Sequence, residues 1–416
     1  MGLRQSLNRH TMLSTAVLSA VALCPSMAGA QQYKDVKPSS PLTLEGQGSF
    51  FVGGNTHEVP APYAYSLPGN VMINQMYVEF MKPAKKSGRY PIIFVHGCCL
   101  SSKTWETTPD GRMGWNEYFV RKGFDTYMAD QVGRARSGFN GLKYEIVRHG
   151  DAPASSQPEI RLATDAFAWN TFRFGNFATK TPWPDERFPM KTVGVGRGST
   201  LDFYKQVIPD LYATLDTSPP GCTGGGCYTP LAAAFHDTSL AMANLSNDLG
   251  GAILVGHSQS STFPTRAALQ QGSKGVKGII QLETGCFDNL TASDIAKLKK
   301  IPILIIEGDH YVEADGVTPQ PKPPAACVTQ MNQINAAGGN MTYIHLPAIG
   351  IKGNSHMFMQ DNNNLQIADL IIKWIDKNVK KGGGGHGGHD DDDDHGHGHG
   401  HDDDHGHGNG HGNGHH

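Results

Sequence analysis

Five residues, Gly256-His257-Ser258-Gln259-Ser260, follow the apolar run Ala252-Ile253-Leu254-Val255 and precede a helix-compatible stretch from Thr262 to Gln271. A short apolar run closed by small residues and followed by a helical segment requires a buried strand that turns a sharp corner into a helix. Such a corner lifts its central side chain above the sheet. It also turns the helix N-terminus toward any negative charge that develops beside it. A serine at that point is placed to act as a nucleophile, and acyl transfer is the chemistry it points to. Ser260 stands where glycine is usual in this kind of turn. The position needs a small residue because helix and strand pack closely there, and serine adds only one side-chain oxygen.

The same rhythm of apolar runs and helical segments extends along the chain and predicts a mostly parallel α/β sheet flanked by helices. Pro91 to Val95 reads as a buried strand ending at His96-Gly97, with a helix around Gly114 to Arg121 after it. Asp125 to Asp130 is the next strand and leads into the loop Gln131 to Ser137. Further strands are expected at Ala252 to Val255, Val276 to Leu282, Ile301 to Ile306 and Met341 to Leu346. Ile367, Leu370, Ile371, Trp374 and Ile375 form the stripe of a helix packed on a sheet. Between 138 and 245 the rhythm lapses into Pro, Gly and aromatic residues, with one helix-like segment from Leu201 to Leu215. An insertion of that size reads as a cap over the site. Trp105, Trp115, Trp169 and Trp183 each read as core filling, and as a group as the wall of a partly aromatic pocket.

Three compositional zones are visible. Arg4 and Arg9, the apolar run Met12 to Leu23 and Ala28-Gly29-Ala30 have the layout of a secretory signal, residues 1–30, cleaved after Ala30. A periplasmic or secreted protein is expected, with no membrane span. The body, residues 31–381, carries 33 Lys and Arg against 30 Asp and Glu with no basic cluster, which argues against nucleic acid as partner. Residues 382–416 contain only Gly, His, Asp and Asn, with 11 histidines and 8 aspartates, and cannot fold by burial. The tail reads as a solubilising appendage or as a divalent-metal binder through imidazoles such as His395, His397, His399 and His401. No cofactor is expected, and a homodimer is compatible with the sequence.

Loss of the signal removes Cys24 and leaves six cysteines, an even number in an oxidising compartment. Six cysteines allow 15 pairings. Cys222 and Cys227 bracket Thr-Gly-Gly-Gly, which can reverse tightly enough for a short bridge. Cys98 and Cys99 are adjacent, which leaves Cys286 and Cys327 as the third pair. An adjacent pair holds its Cα atoms about 3.8 Å apart, below the usual disulfide range, so such a bond is strained.

The strand-turn-helix at Ser258, the His96-Gly97 turn and the Asp130 to Ser137 loop together resemble the α/β-hydrolase superfamily, over roughly Tyr90 to Asn378. Gly97-Cys98-Cys99-Leu100 with Thr104-Trp105-Glu106, the Ser258 pentapeptide and Gly353-Asn354-Ser355-His356 are similar to bacterial esterases with adjacent active-site cysteines. The resemblance implies a serine esterase acting on a small or polymeric ester through an acyl-enzyme, with a Cys98–Cys99 disulfide beside the oxyanion hole. The oxyanion donors would be the N–H groups of Gln259 and Cys98. His356 follows the last strand, where the base of the triad belongs; His310 is its competitor, while His345 reads as structural and His96 and His257 as shaping the turns. Asp309 is displaced by two residues from the position that usually supplies the acid. Glu283, at the end of the neighbouring strand, matches the acid of the esterases resembled and is preferred. A lactonase or amidase with the same triad, or a non-catalytic metal-binding protein using the tail, are the alternatives.

Overall fold

The computed structural model describes residues 40–157, 160–190, 199–209, 230–283, 285–287, 290–312 and 318–381. The signal segment, the Cys222–Cys227 bridge and the tail histidines lie outside the described residues. The strands run in chain order as β1 (Leu44–Val59), β2 (Gly69–Pro83), β3 (Ile92–Val95), β4 (Thr126–Ala129), β5 (Gly175–Asn176), β6 (Thr181–Pro182), β7 (Ala252–His257), β8 (Val276–Leu282), β9 (Ile303–Glu307) and β10 (Met341–His345). All except β5 and β6 form an eight-stranded sheet in the order β1-β2-β4-β3-β7-β8-β9-β10. From β4 to β10 every pairing is parallel, and β1 and β2 are added antiparallel at one edge.

The apolar runs form strands because both faces of the parallel sheet are covered. Alternate residues of each strand enter opposite layers. Ile92, Phe94, Ile253 and Val255 face one helical layer; Ile93, Val95, Leu254 and Ile279 face the other. The helices are α1 (Trp115–Arg121), α2 (Leu142–Arg148), α3 (Asp165–Thr171), α4 (Ser199–Gln206), α5 (Pro230–Asp248), α6 (Phe263–Leu269), α7 (Ala292–Leu298), α8 (Ala325–Ala336) and α9 (Asn364–Asn378). α1 and α9 cover the first face, with Trp115, Phe119, Ile367, Ile371 and Ile375 buried. α5 to α8 cover the second through Met242, Phe263, Leu298 and Ile334.

Two features differ from the sequence reading. β1 and β2 are a long hairpin that the apolar pattern did not disclose. The buried-side positions of β1 include Gly46 and Gly48, so its period-two pattern carries little hydrophobic signal. The helix expected from Leu201 to Leu215 is α4 and stops at Gln206; residues 210–229 lie outside the described residues.

Strand order decides where a site can form. The chain steps from β3 to β4 on one side, then returns to place β7 on the other side of β3. At such a reversal the loops leaving the two central strands diverge and open a crevice at the strand ends. The loop after β3 and the turn after β7 therefore border that crevice, and the segment between β4 and β7 lies beside them. That segment joins the main core through Phe172, Phe174, Phe188 and Phe203, which share one apolar cluster with Trp105 and Trp115. The two tryptophans stack at 5.8 Å and are fully buried, as core filling.

The corner after β7 is stitched to β3 by Ser260. Its hydroxyl accepts from the His257 N–H and donates to the Val95 carbonyl, both at 2.9 Å. Gly256 has no room for a side chain, since a Cβ there would lie 2.1 Å from the Ser260 carbonyl oxygen. The departure from glycine at 260 thus gives two buried main-chain groups a partner. Ser260→Ala orphans both, and unfolding in urea is expected to show a loss of about 1–3 kcal/mol. An unchanged midpoint would mean that the corner holds without the stitch.

Beyond β8 the chain is tied to α8 by a disulfide between Cys286 and Cys327, 41 residues apart in sequence. Closing a loop of that length in the unfolded chain is worth about 4 kcal/mol in the chain-entropy account. Replacing both cysteines with alanine is expected to lower the thermal midpoint under oxidising conditions and to leave it unresponsive to reductant. Equal melting of the variant and the oxidised parent would show that the bond constrains nothing.

Candidate active site

Ser258 opens the 3₁₀ turn Ser258–Ser260 with φ at +55°, a left-handed conformation that serine adopts only under constraint. The loop after β3 presses against it: a Cβ on Gly97 would lie 3.0 Å from the Ser258 Cβ and from His257 Nδ1. A residue without a side chain is what permits that approach. His96 fixes the same loop. Its Nε2 accepts from the Gln131 N–H at 3.1 Å, so Nδ1 carries the proton and donates to the Gly97 carbonyl at 2.8 Å. Arg134 donates to the side-chain oxygens of Gln131 and Gln259, linking this loop to the turn after Ser258.

Cys98 and Cys99 lie in this loop, and Cys99 has φ at +60°.

His356 is presented by a turn built on Asp361. One carboxylate oxygen of Asp361 accepts from the Ser355 N–H at 2.9 Å and from Asn354 Nδ2 at 2.8 Å, and the other accepts from the Ser355 hydroxyl at 2.7 Å. Gly353 begins the turn at φ +77°, with the Asp185 carbonyl oxygen where its Cβ would be. The His356 N–H donates to the Phe172 carbonyl at 3.0 Å, and His257 Nε2 donates to the His356 carbonyl at 2.9 Å. The two imidazoles lie 4.8 Å apart. Burial, then the neighbouring His356, hold the His257 pKa down to about 3, so it stays neutral. His356 Nδ1 is 3.0 Å from Glu283 Oε2, whereas its Nε2 is buried with no hydrogen-bond partner among the described residues.

Glu283 leaves β8 at φ +58° and is itself enclosed by donors. The Gly308 N–H donates to Oε1 at 2.6 Å; Arg173 Nη2 at 2.7 Å and the Tyr311 hydroxyl donate to Oε2. Burial alone pushes this carboxyl up, but the Arg173 guanidinium and the His356 bond outweigh it and hold Glu283 well below the usual carboxylate range. Burial is the largest influence on His356. It lowers the pKa below the ordinary 6.5, Glu283 opposes it, and Arg173 adds to it.

The structure therefore brings Glu283, not Asp309, to His356. The Asp309 carboxylate accepts from the His310 N–H at 2.7 Å and the Gly353 N–H at 2.9 Å. His310, the competing base, stacks on Trp183 at 4.7 Å and approaches Asp185 at 3.0 Å. Asp185, Asp309 and His310 bring metal-type donor atoms within 4.8 Å of one another. Both oxygens of Asp309 are occupied by main-chain donors, so the trio ties the insertion to the loop before His356 and is not built as a metal centre.

Arg173 is the site residue that sequence reasoning missed. Its nearest signal is a lone charge inside the aromatic run Phe172-Arg173-Phe174. Five of the non-glycine residues at positive φ, Cys99, Arg173, Ser258, Glu283 and His310, belong to this one neighbourhood. Concentrated backbone strain of that kind persists only where surrounding contacts over-determine it.

No protein-family model matches the chain. A solved structure described as a novel bacterial esterase superposes with a TM-score of 0.70 at 38% sequence identity, covering 83% of this chain and 99% of that one. A curated relative, the probable secreted lipase phiG of a fungal species (strain ATCC 74256), is 24% identical over 357 residues, 73% of this chain and 86% of that protein. Among the described residues no helix is long and apolar enough to cross a membrane. Since almost the whole of the bacterial esterase is matched at that identity, on a mostly parallel sheet with flanking helices, the chain belongs to the α/β-hydrolase family and is a hydrolase acting on esters.

Proposed function

We propose that the protein is an exported serine esterase whose triad is Ser258, His356 and Glu283. The observation that carries the reading is the buried His356 imidazole. One nitrogen lies 3.0 Å from an ionised carboxylate, and the other is buried without a partner beside the strained Ser258 corner. His356 Nε2 takes the Ser258 proton as the oxygen attacks the acyl carbon, while the Nδ1 proton stays hydrogen-bonded to Glu283. The oxyanion is received by the Gln259 and Cys98 N–H groups. Collapse of the tetrahedral intermediate releases the alcohol, which leaves with the His356 proton. Water then attacks the acyl-enzyme by the same route and regenerates Ser258.

The insertion between β4 and β7 acts as the cap that bounds the acyl pocket. Phe172 lies 5.6 Å from the His356 ring and packs on Phe174 and Phe203, which holds the insertion against the triad. Export is supported by the signal layout of residues 1–30 and by the secreted lipase relative.

Hydrolysis of p-nitrophenyl esters of increasing acyl length tests this, with residues 382–416 present and removed. Ser258→Ala is expected to abolish burst and turnover, with the tail making no difference. Glu283→Gln keeps the shape but favours the wrong tautomer, and is expected to lower kcat by about 10⁴-fold. Turnover that persists in Ser258→Ala, or that vanishes with the tail, would sink the reading.

A further inference from the structure

Arg173 reaches the triad from the insertion and touches three of its neighbours at once. Nη2 donates to Glu283 Oε2 at 2.7 Å, Nε donates to the Asp309 carbonyl at 2.7 Å, and Nη1 lies 3.0 Å from His356 Nδ1. The guanidinium stacks 3.9 Å from the Tyr311 ring centroid, and its side chain is 10% exposed. An arginine cannot accept a hydrogen bond. His356 Nδ1 therefore has two mutually exclusive partners. With a proton it donates to Glu283 and faces a guanidinium N–H; without one it accepts from Arg173, and the proton sits on Nε2. Only the first tautomer can take the Ser258 proton.

Resting on the triad reading above, we infer that Arg173 is a positioning residue by which the cap controls the charge and tautomer of His356, keeping it an unprotonated base in acidic solution. The imidazolium, with protons on both nitrogens, has no favourable contact to offer Nη1 and lies beside a fixed positive charge.

Among the other charged and titratable groups facing His356, Lys322 acts in the same direction as Arg173 but more weakly. Glu283, from the end of β8, pulls the other way. His257, on β7, is neutral because its pKa is near 3. Lys322 is paired with Glu307 at 2.8 Å. Tyr311, after β9, is pushed well above its ordinary value, first by burial, and stays a neutral donor to Glu283. On the insertion itself, Glu186 has a pKa raised to about 9, first by burial and then by Asp361, and is uncharged at neutral pH.

The sign of the effect follows directly. Removing the cation raises the His356 pKa, so the free base is lost at higher pH and the acid limb of kcat/KM moves upward. In Arg173→Met the limb is expected to rise by about one pH unit or more, the usual effect of one charge at this range. Arg173→Lys keeps the charge but not the fork, so its limb stays near the parent value while kcat falls. A merely structural role would lower the rate in both variants without moving either limb.

Ser258→Ala is assayed alongside. Serine-independent hydrolysis would take down the triad reading and this proposal together. Serine-dependent hydrolysis with an unmoved limb in a folded Arg173→Met would overturn this proposal alone. Should the methionine variant fail to fold, Arg173→Gln takes its place, read by ¹⁵N titration of the His356 ring: a midpoint above that of the unaltered protein supports the inference, and an unmoved one overturns it.

Discussion

An ionised carboxylate and a guanidinium lie side by side beneath one imidazole, closed off from water. Taking either ion out of water alone would cost several kcal/mol. The Glu283–Arg173 pair is sustained by further partners: the Gly308 N–H and Tyr311 hydroxyl on the carboxylate, the Asp309 carbonyl and the Tyr311 ring on the guanidinium. Those partners come from the loop after β9, while the ions come from the end of β8 and from the insertion. Breaking the pair from either side would leave an uncompensated buried charge. Three separate segments are thereby held in one register, and the His356 turn closes on the same set through the Phe172 carbonyl.

That register explains where the backbone is strained. Arg173 and Glu283 both sit at positive φ, at a cost of order 1–3 kcal/mol each. Neither conformation is wanted locally, since arginine and glutamate gain nothing from a left-handed turn. The ion pair and its donors stabilise the site enough to hold both. At the Ser258 corner the opposing force is different: the Ser260 stitch and the close approach of Gly97 hold the serine in its conformation.

Much of this was legible in the sequence, for reasons that can be traced. The parallel strands showed because both faces are buried, which makes each a continuous apolar run. Ser258 showed because strand, corner and helix are consecutive, and His356 because chain order places a histidine after the last strand. Glu283 was separable from Asp309 only through the resemblance to known esterases, since either carboxylate ends a strand or follows one. β1 was hidden by glycine at its inward-facing positions. Arg173 was unreadable for another reason: its partners stand 110 and 183 residues away in the chain, and no local spacing encodes contacts of that range.

A cation beside a general base is a trade. It steadies the carboxylate that orients the imidazole, yet it opposes the imidazolium that forms as Ser258 loses its proton. At neutral pH, where an ordinary histidine is already mostly unprotonated, the second effect slows the reaction and gains nothing. In acid the balance reverses, because a base that stays unprotonated outweighs some loss of transition-state stabilisation. For a base that has to work in acid, the arrangement therefore has a use. Placing the cation on the insertion rather than on the sheet has a second consequence. Phe172, 5.6 Å from the His356 ring, and Arg173 are consecutive residues, so the packing of the insertion and the charge beside the imidazole are set by one segment.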